Sequence, residues 1–233
     1  MTGLIKHLKN TLHLFYPHHC TGCGSDLLSQ QEMLCLACLG ALPHTGFENI
    51  AGNATEKLFE GRVPLRAAHS QFYFAKHKLI QHLLHQLKYK GNKEIGIYLG
   101  NIMGQALLKS SRFANPDALI PLPLHADKEF KRGYNQSLLI CKGMAKAMQV
   151  PVITTAVKRK RITETQTKKH RMERWQNVED SFVLQDAPAI THKHILLVDD
   201  VVTTGATLEA CSSVLLKQPG VSVSIATLAI ANK

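Results

Sequence analysis

A chain of 233 residues has room for one ordinary globular domain and a small appendage, and its 45% hydrophobic content is enough to pack a core. Its 19% charged residues are ordinary for a soluble protein, but a formal net charge of +11 is not. That excess admits nucleic acid, phosphorylated small molecules and anionic membrane surfaces as partners, and does not choose among them.

In chain order, MTGLIKHLKNTLHLFY places Leu4, Leu8, Leu12 and Phe15 at three- and four-residue steps, which predicts an amphipathic helix docked on the protein's own body. Lys6, His7, Lys9 and Asn10 interrupt any export-signal core, and no segment reads as a membrane span, so the expected compartment is the reducing cytoplasm. Cysteines there are free or metal-bound. Residues 17–42 are too small to bury a core unaided. They hold Cys20-x-x-Cys23 and Cys35-x-x-Cys38 with eleven residues between the pairs. Each C-x-x-C turns two thiolates onto one ion, and four soft sulfurs favour tetrahedral Zn²⁺ in a closed, structural site. A redox pair needs only one such motif. His18 and His19 rank below the cysteines as ligands. Cys141 and Cys211 fall on predicted helices and are expected to be buried core thiols.

The organisation expected is an N-terminal helix and four-Cys finger over 1–42, a connector over 43–66, and an α/β domain over 67–233. Strand character covers 70–75. Leu79, Ile80, Leu83, Leu84 and Leu87 then form one apolar helix face, with Lys78, His82, His85 and Lys88 opposite. A helix over 95–108, a strand over 118–124 that breaks at its prolines, a helix over 137–148 and strands over 150–157 and 194–199 follow. A helix over 205–217 and a strand over 221–230 complete a mostly parallel sheet flanked by helices. Ligands of such sheets bind beyond the carboxyl ends of the strands.

The informative stretch is HILLVDDVVTTGATL, residues 194–208. Asp199 and Asp200 end an apolar strand, and adjacent carboxylates repel unless cations or hydroxyl donors lie before them. Thr203-Thr204-Gly205-Ala206-Thr207 follows directly. Gly205 permits a bend and close approach, and the loop N–H groups, threonine hydroxyls and helix N-terminus suit a monophosphate. Vicinal ribose hydroxyls and a 5-phosphate would thus lie on consecutive residues. The plainer alternative is a strand capped by a turn, with Thr207 as a helix N-cap. Neither G-x-x-x-x-G-K-[ST] nor G-x-G-x-x-G is present, which removes nucleotide-loop and dinucleotide readings.

VDDVVTTGATL resembles the phosphoribosyl pyrophosphate (PRPP) signature of type I phosphoribosyltransferases. The resemblance implies Asp199 and Asp200 on the ribose hydroxyls, Thr203–Thr207 around the 5-phosphate, and Mg²⁺ mainly on pyrophosphate and ribose oxygens. Members acting on 6-oxopurines have an aspartate where this chain has Thr203, which argues against that substrate class. It also implies that the loop after the early strand, with Lys131, Arg132 and Gly133, receives pyrophosphate, a task suited to cations and exposed N–H groups. Alone, that stretch reads as a solvated basic turn. Residues 158–177 carry eight Lys/Arg and two Glu between predicted strands. The fold resemblance puts a mobile hood there, bringing Arg161, Gln166, Lys169 or Arg174 towards the pyrophosphate, none singled out. Trp175 either stacks on a base or packs.

A four-Cys finger ahead of this signature, with LKYKG (87–91), PLPLHADKEFKRGYNQS (121–137) and RITETQTKKHRMERWQN (161–177), is similar to the ComF competence family (ComFC- or GntX-like). The resemblance implies a role in natural transformation, handling incoming single-stranded DNA, with a DNA-translocating competence helicase as a partner. The acceptor does not follow. No N-terminal cysteine nucleophile is present, so phosphoribosylamine synthesis from glutamine is not expected of this chain alone. Two functions stay open: a PRPP-dependent phosphoribosyltransferase, and a non-catalytic PRPP sensor or single-stranded-DNA binder, whose base stacking is sparse at 6% aromatics.

Overall fold

The computed structural model describes residues 18–27, 32–75, 78–113, 115–160 and 181–231. The amphipathic helix expected near the N-terminus lies outside them. The chain first forms an antiparallel ribbon of β1 (His18–His19) and β2 (Asp26–Leu27), then α1 (Leu36–Gly40). Cys20, Leu27, Leu34 and Leu42 of this module are buried, and they join the main apolar cluster of the domain. A segment this poor in apolar residues has no other way to hide them.

Residues 43–66 lack periodicity but are not a slack connector. Asn53 caps α2 (Ala54–Lys57), accepting from the N–H groups of Thr55 and Glu56. Its amide donates to Ile50 O at 2.8 Å and to Ala68 O, at the start of β3 (Ala68–Phe74), at 2.9 Å. Glu56 pairs with Arg112 and accepts the Ala68 N–H at 3.1 Å. Phe47, Phe59 and Val63 sit in a second buried cluster on that side of the sheet.

The elements that follow are α3 (Leu79–Tyr89), α4 (Lys93–Leu108), β4 (Ala118–Pro121), α5 (Ala126–Arg132) and α6 (Gln136–Met148). After them come β5 (Val157–Arg159), β6 (Phe182–Leu184), β7 (His194–Val202), α7 (Ala206–Leu216) and β8 (Ser222–Ala231). The central sheet is parallel with order β3-β8-β7-β4. The apolar residues of α3, α4 and α6 share one cluster with Phe72, Leu196 and Val198 from one sheet face. Those of α7 share the other with Ile195, Leu197 and Ile225, so the sheet is buried on both sides. Two of the three covering helices touch almost backbone to backbone: a Cβ added at Gly143 of α6 would lie 2.0 Å from the Ile97 carbonyl of α4. That contact seats α6, and with it Ser137, against the sheet.

The type I phosphoribosyltransferase-like α/β class read from the sequence is what this order of strands and helices shows. Three boundaries differ. The expected strand over 150–157 is instead one parallel bridge, Val152 to Leu119, followed by a turn into β5, which pairs antiparallel with β6. Its β-branched residues signalled extended backbone, but the sheet offers a partner for only one of them. β4 ends at Pro121 with one further bond, the Leu122 N–H to the Val198 carbonyl at 2.8 Å, and Pro123 has no N–H with which to continue. β7 runs on to Val202, because β8 keeps pairing with it through Val202↔Ile230. Among the described residues no helix is long and apolar enough to cross a membrane.

Candidate functional site

Because β4 ends opposite Val198 while β8 continues, Asp199 and Asp200 lie in a strand covered on one side only. They are held by three elements. Asp199 Oδ1 accepts from the Ser137 hydroxyl of α6 at 2.9 Å and from the Asp200 N–H at 2.8 Å. Asp200 Oδ2 faces the Lys88 ammonium, from the last turn of α3, at 2.8 Å. That contact is an ion pair without hydrogen-bond alignment, so Oδ2 still lacks a well-directed donor. Burial, then the neighbouring Asp200 charge, holds Asp199 well above the usual carboxylate range, at about 7. The Asp200 N–H, the Ser137 hydroxyl and Lys88 work in the opposite direction. Among the described residues Lys88 is the cation in direct contact with the two carboxylates, an arrangement that a divalent ion or a pair of ligand hydroxyls would complete.

The loop after β7 is open. Thr203 and Thr204 are exposed, and α7 begins at Ala206 behind Gly205. Gly205, not Thr207, is the N-cap, with no side-chain cap bond, so the plain capping role considered for Thr207 does not hold. Gly205 has φ of +77°, and a Cβ there would lie 2.7 Å from the Phe59 ring; conformation and space both demand glycine. The first four amides of a helix have no intrahelical partner, and those of α7 follow directly on the exposed Thr203 and Thr204.

Lys131 and Arg132 are on the last turn of α5, not on a loop as the sequence suggested. Gly133 closes that helix at φ +75°, a left-handed C-cap. Arg132 donates to Gln136 Oε1 at 2.8 Å and stacks over Tyr89 with its guanidinium carbon 5.5 Å from the ring centre. Lys128, Lys131 and Arg132 line a cleft of about 470 Å³ together with Tyr89, Tyr134 and Lys88. Lys88 thus belongs both to this cleft and to the acid pair. Sequence reading placed it on the outer face of its helix; the LKYKG segment was noted, but no role was attached to the lysine. Arg159, the last residue of β5, was passed over too. It stacks on Phe182, burial lowers its pKa, and the Asp199 charge is the strongest opposing influence. The hood candidates Arg161, Gln166, Lys169 and Arg174, and Trp175, lie outside the described residues.

The N-terminal cysteines come together as expected. The Sγ atoms of Cys20, Cys23, Cys35 and Cys38 lie within 4.8 Å of one another, and Cys23 Sγ is 3.7 Å from Cys35 Sγ. Tetrahedral Zn–S bonds of about 2.3 Å put sulfurs about 3.8 Å apart, so the donor set fits Zn²⁺. The Ser25 hydroxyl, then its backbone, holds Cys23 down to about 6, the thiolate character a metal ligand needs. His18 donates to the Glu32 carbonyl and His19 pairs with Asp26, and the clustered donor set is the four cysteines. Cys141 and Cys211 are buried core thiols, as expected.

The paired acids and the open threonine–glycine loop fall within residues 135–233, which match the family model described as a phosphoribosyl transferase domain. Competence protein F of Haemophilus influenzae is 28% identical over 217 residues, covering 93% of this chain and 83% of that protein. ComFC of Bacillus subtilis is 32% identical over 156 residues, covering 64% and 59%. The DNA utilization protein YhgH of Shigella flexneri is 32% identical over 146 residues, so the chain spans 63% of the length of that relative. With its four-cysteine cluster ahead of the matched residues, the chain is similar to these competence and DNA-utilization proteins. Among solved structures, the allosteric regulatory enzyme of purine biosynthesis matches at 16% identity, with a TM-score of 0.42 over 60% of this chain and 29% of that one.

Proposed function

We propose that the protein binds PRPP with Mg²⁺ at the carboxyl end of β7 and acts in DNA uptake during natural transformation, in the cytoplasm. One observation carries this reading: two under-neutralised carboxylates are followed within three residues by an open threonine–glycine loop at a helix N-terminus. Asp199 and Asp200 take the ribose hydroxyls, drawing Asp200 away from Lys88. Thr203, Thr204, Gly205, Ala206 and Thr207 take the 5-phosphate. Lys131 and Arg132, with Lys88 and Lys128, face the pyrophosphate, and Gly133 lets the chain turn behind them. Mg²⁺ supplies charge neutralisation for the leaving group. The names of the competence and DNA-utilization relatives support the biological setting, in which a competence helicase is the natural partner.

As a phosphoribosyltransferase, the protein breaks the anomeric C–O bond of PRPP, releases pyrophosphate and joins the ribose carbon to an acceptor. Water has to be excluded meanwhile, and the hood stretch with Arg161, Gln166, Lys169 and Arg174 is the candidate cover. Calorimetry tests the binding step: saturable PRPP heat that needs Mg²⁺ and disappears in Asp200→Asn is the expected result. Absence of any PRPP binding by the zinc-loaded chain would remove the proposal, and a pyrophosphate-release screen over acceptors would then be without purpose.

A second reading, single-stranded DNA binding, has its own support. On α5, Phe130 is 90% exposed between Lys128 and Lys131, and Tyr89, across the cleft, is 65% exposed. Exposed rings among cations suit stacked bases and phosphates. Fluorescence anisotropy with an oligonucleotide should show affinity that falls steeply with salt and about tenfold more in Phe130→Ala, the size of one lost stack. Equal affinity of the variant and the parent sinks this reading.

A further inference from the structure

The phosphate loop is held from outside the matched transferase domain. Arg62, on the segment between the cysteine module and β3, donates through Nη1 to the Thr204 carbonyl at 2.8 Å and to the Leu58 carbonyl at 2.6 Å. Its Nη2 pairs with Glu209, in the first turn of α7. One guanidinium therefore ties its own segment, the loop and the helix that follows the loop. Three residues earlier, Phe59 is 2% exposed and its ring fills the space a Gly205 side chain would need. Loop and segment are thus fastened at two adjacent points, by a fork of hydrogen bonds and by a packed ring.

The direction of that fastening matters. All described peptides are trans, and in a trans peptide the C=O and N–H point to opposite sides. Fixing the Thr204 carbonyl on Arg62 therefore aims the Gly205 N–H away from Arg62, in a loop whose Thr203 and Thr204 are exposed. The guanidinium has carbonyls and Glu209 as partners, so it is not itself spent on a ligand. Far from being a spacer, the segment is anchored at its other end by Asn53 and Glu56 to the start of β3, which makes it a rigid brace.

We infer that Arg62 is a positioning residue for phosphate recognition: by fixing the Thr204 carbonyl it pre-orients the loop amides toward the 5-phosphate, with Phe59 as the floor beneath Gly205. Pre-orientation raises affinity by removing the cost of ordering the loop at the moment of binding. The inference rests on the phosphoribosyl reading above. It adds that residues 58–62 complete a site whose recognised motif lies about 140 positions downstream, as the 142-residue separation of Arg62 and Thr204 expresses.

The test uses the full zinc-loaded chain and two probes, ribose 5-phosphate and Mg²⁺-pyrophosphate, titrated by calorimetry beside a thermal melt. Arg62→Ala is expected to weaken ribose 5-phosphate about tenfold and to leave pyrophosphate within about twofold. Arg62→Lys, which keeps the charge and one donor, should recover part of the loss and also serves if the alanine variant does not fold. Simple charge attraction makes the opposite forecast at a second position. Glu209→Ala removes an anion near the site, so attraction alone predicts tighter ribose 5-phosphate binding, whereas loss of the fork predicts weaker binding by about threefold. Unchanged or tighter binding in Glu209→Ala overturns the inference, as does an Arg62→Ala variant that binds like the parent or loses both probes equally. A parent protein that binds neither ribose 5-phosphate nor PRPP fails the phosphoribosyl reading itself, which is a separate result.

Discussion

Asparagine at position 199 is expected to raise the stability of the ligand-free protein while sharply weakening the PRPP binding proposed above. Asp199 carries its proton to about 7 because burial and the Asp200 charge oppose ionisation. In the unfolded chain it ionises near pH 4. Between those values the folded state binds more protons than the unfolded state, so stability falls as pH rises through that window, and the contribution is absent above about 7. Asp199→Asn keeps an oxygen to accept from Ser137 and from the Asp200 N–H, and removes the ionisable group. The gain at pH 8 should be about 1–3 kcal/mol, or several degrees in melting temperature for a chain of this size. The same variant should lose PRPP binding by a hundredfold or so, since a carboxylate that meets two hydroxyls and a cation-bearing ligand is replaced by a neutral amide. Thermal melts from pH 5 to 8 check this by difference, because burial holds His69 down to about 4 and adds an opposite slope to parent and variant alike; the variant's advantage should grow as pH rises, and equal slopes in the two refute the account. Asp199→Ala gives the contrast, since it strands the Ser137 hydroxyl and should destabilise.

A stability gain at a residue proposed to bind ligand is the signature of a site built against its own folding energy. It also explains why the acids were legible in the sequence. Two adjacent aspartates at the end of an apolar strand have no structural motive, so a ligand was the natural inference. The helices over 79–89 and 136–148 were legible for a different reason: Ile80, Leu83, Leu84 and Leu87 recur at the helical period because they pack on one sheet face. What escaped was packing without period. Phe47, Phe59 and Val63 are buried at irregular intervals in a segment rich in glycine, asparagine and proline, so nothing in their spacing announces that they cover the sheet or touch Gly205. Lys88 escaped because its helix face looks solvated until α3 is placed with its last turn over β7. The α5 helix was missed although its stop signal was visible: Lys131-Arg132-Gly133 is two cations and a left-handed glycine, as helix C-termini often end.

Removal of zinc is expected to damage the α/β domain and not merely the finger. Were the module a separate appendage, chelation would unfold about 25 residues and leave the main melt untouched. Its geometry argues otherwise. Cys20, Leu27, Leu34 and Leu42 are buried in the same cluster as Ile80, Leu83 and Leu84 of α3. A Cβ at Gly22 would lie 2.8 Å from Leu79 Cδ1 and 2.9 Å from Cys38 Sγ, which is how closely the first knuckle sits between its partner cysteine and the helix. His82 Nε2 donates to the Thr21 carbonyl at 3.0 Å. Without the ion, four crowded sulfurs lose what draws them together, the ribbon opens, and the apolar surface it covers on α3 meets water. Exposing three such side chains costs about 3–6 kcal/mol at the usual area rate, enough to lower the melting temperature by roughly 10 °C. Elemental analysis should find one zinc per chain in protein purified without chelator. Cys38→Ser should lose that zinc and show the lowered melt, whereas Cys141→Ser, in the core and away from the cluster, should keep the metal whatever it does to stability. If the metal-free protein melts where the loaded one does, the shared core is not load-sharing and the finger stands alone.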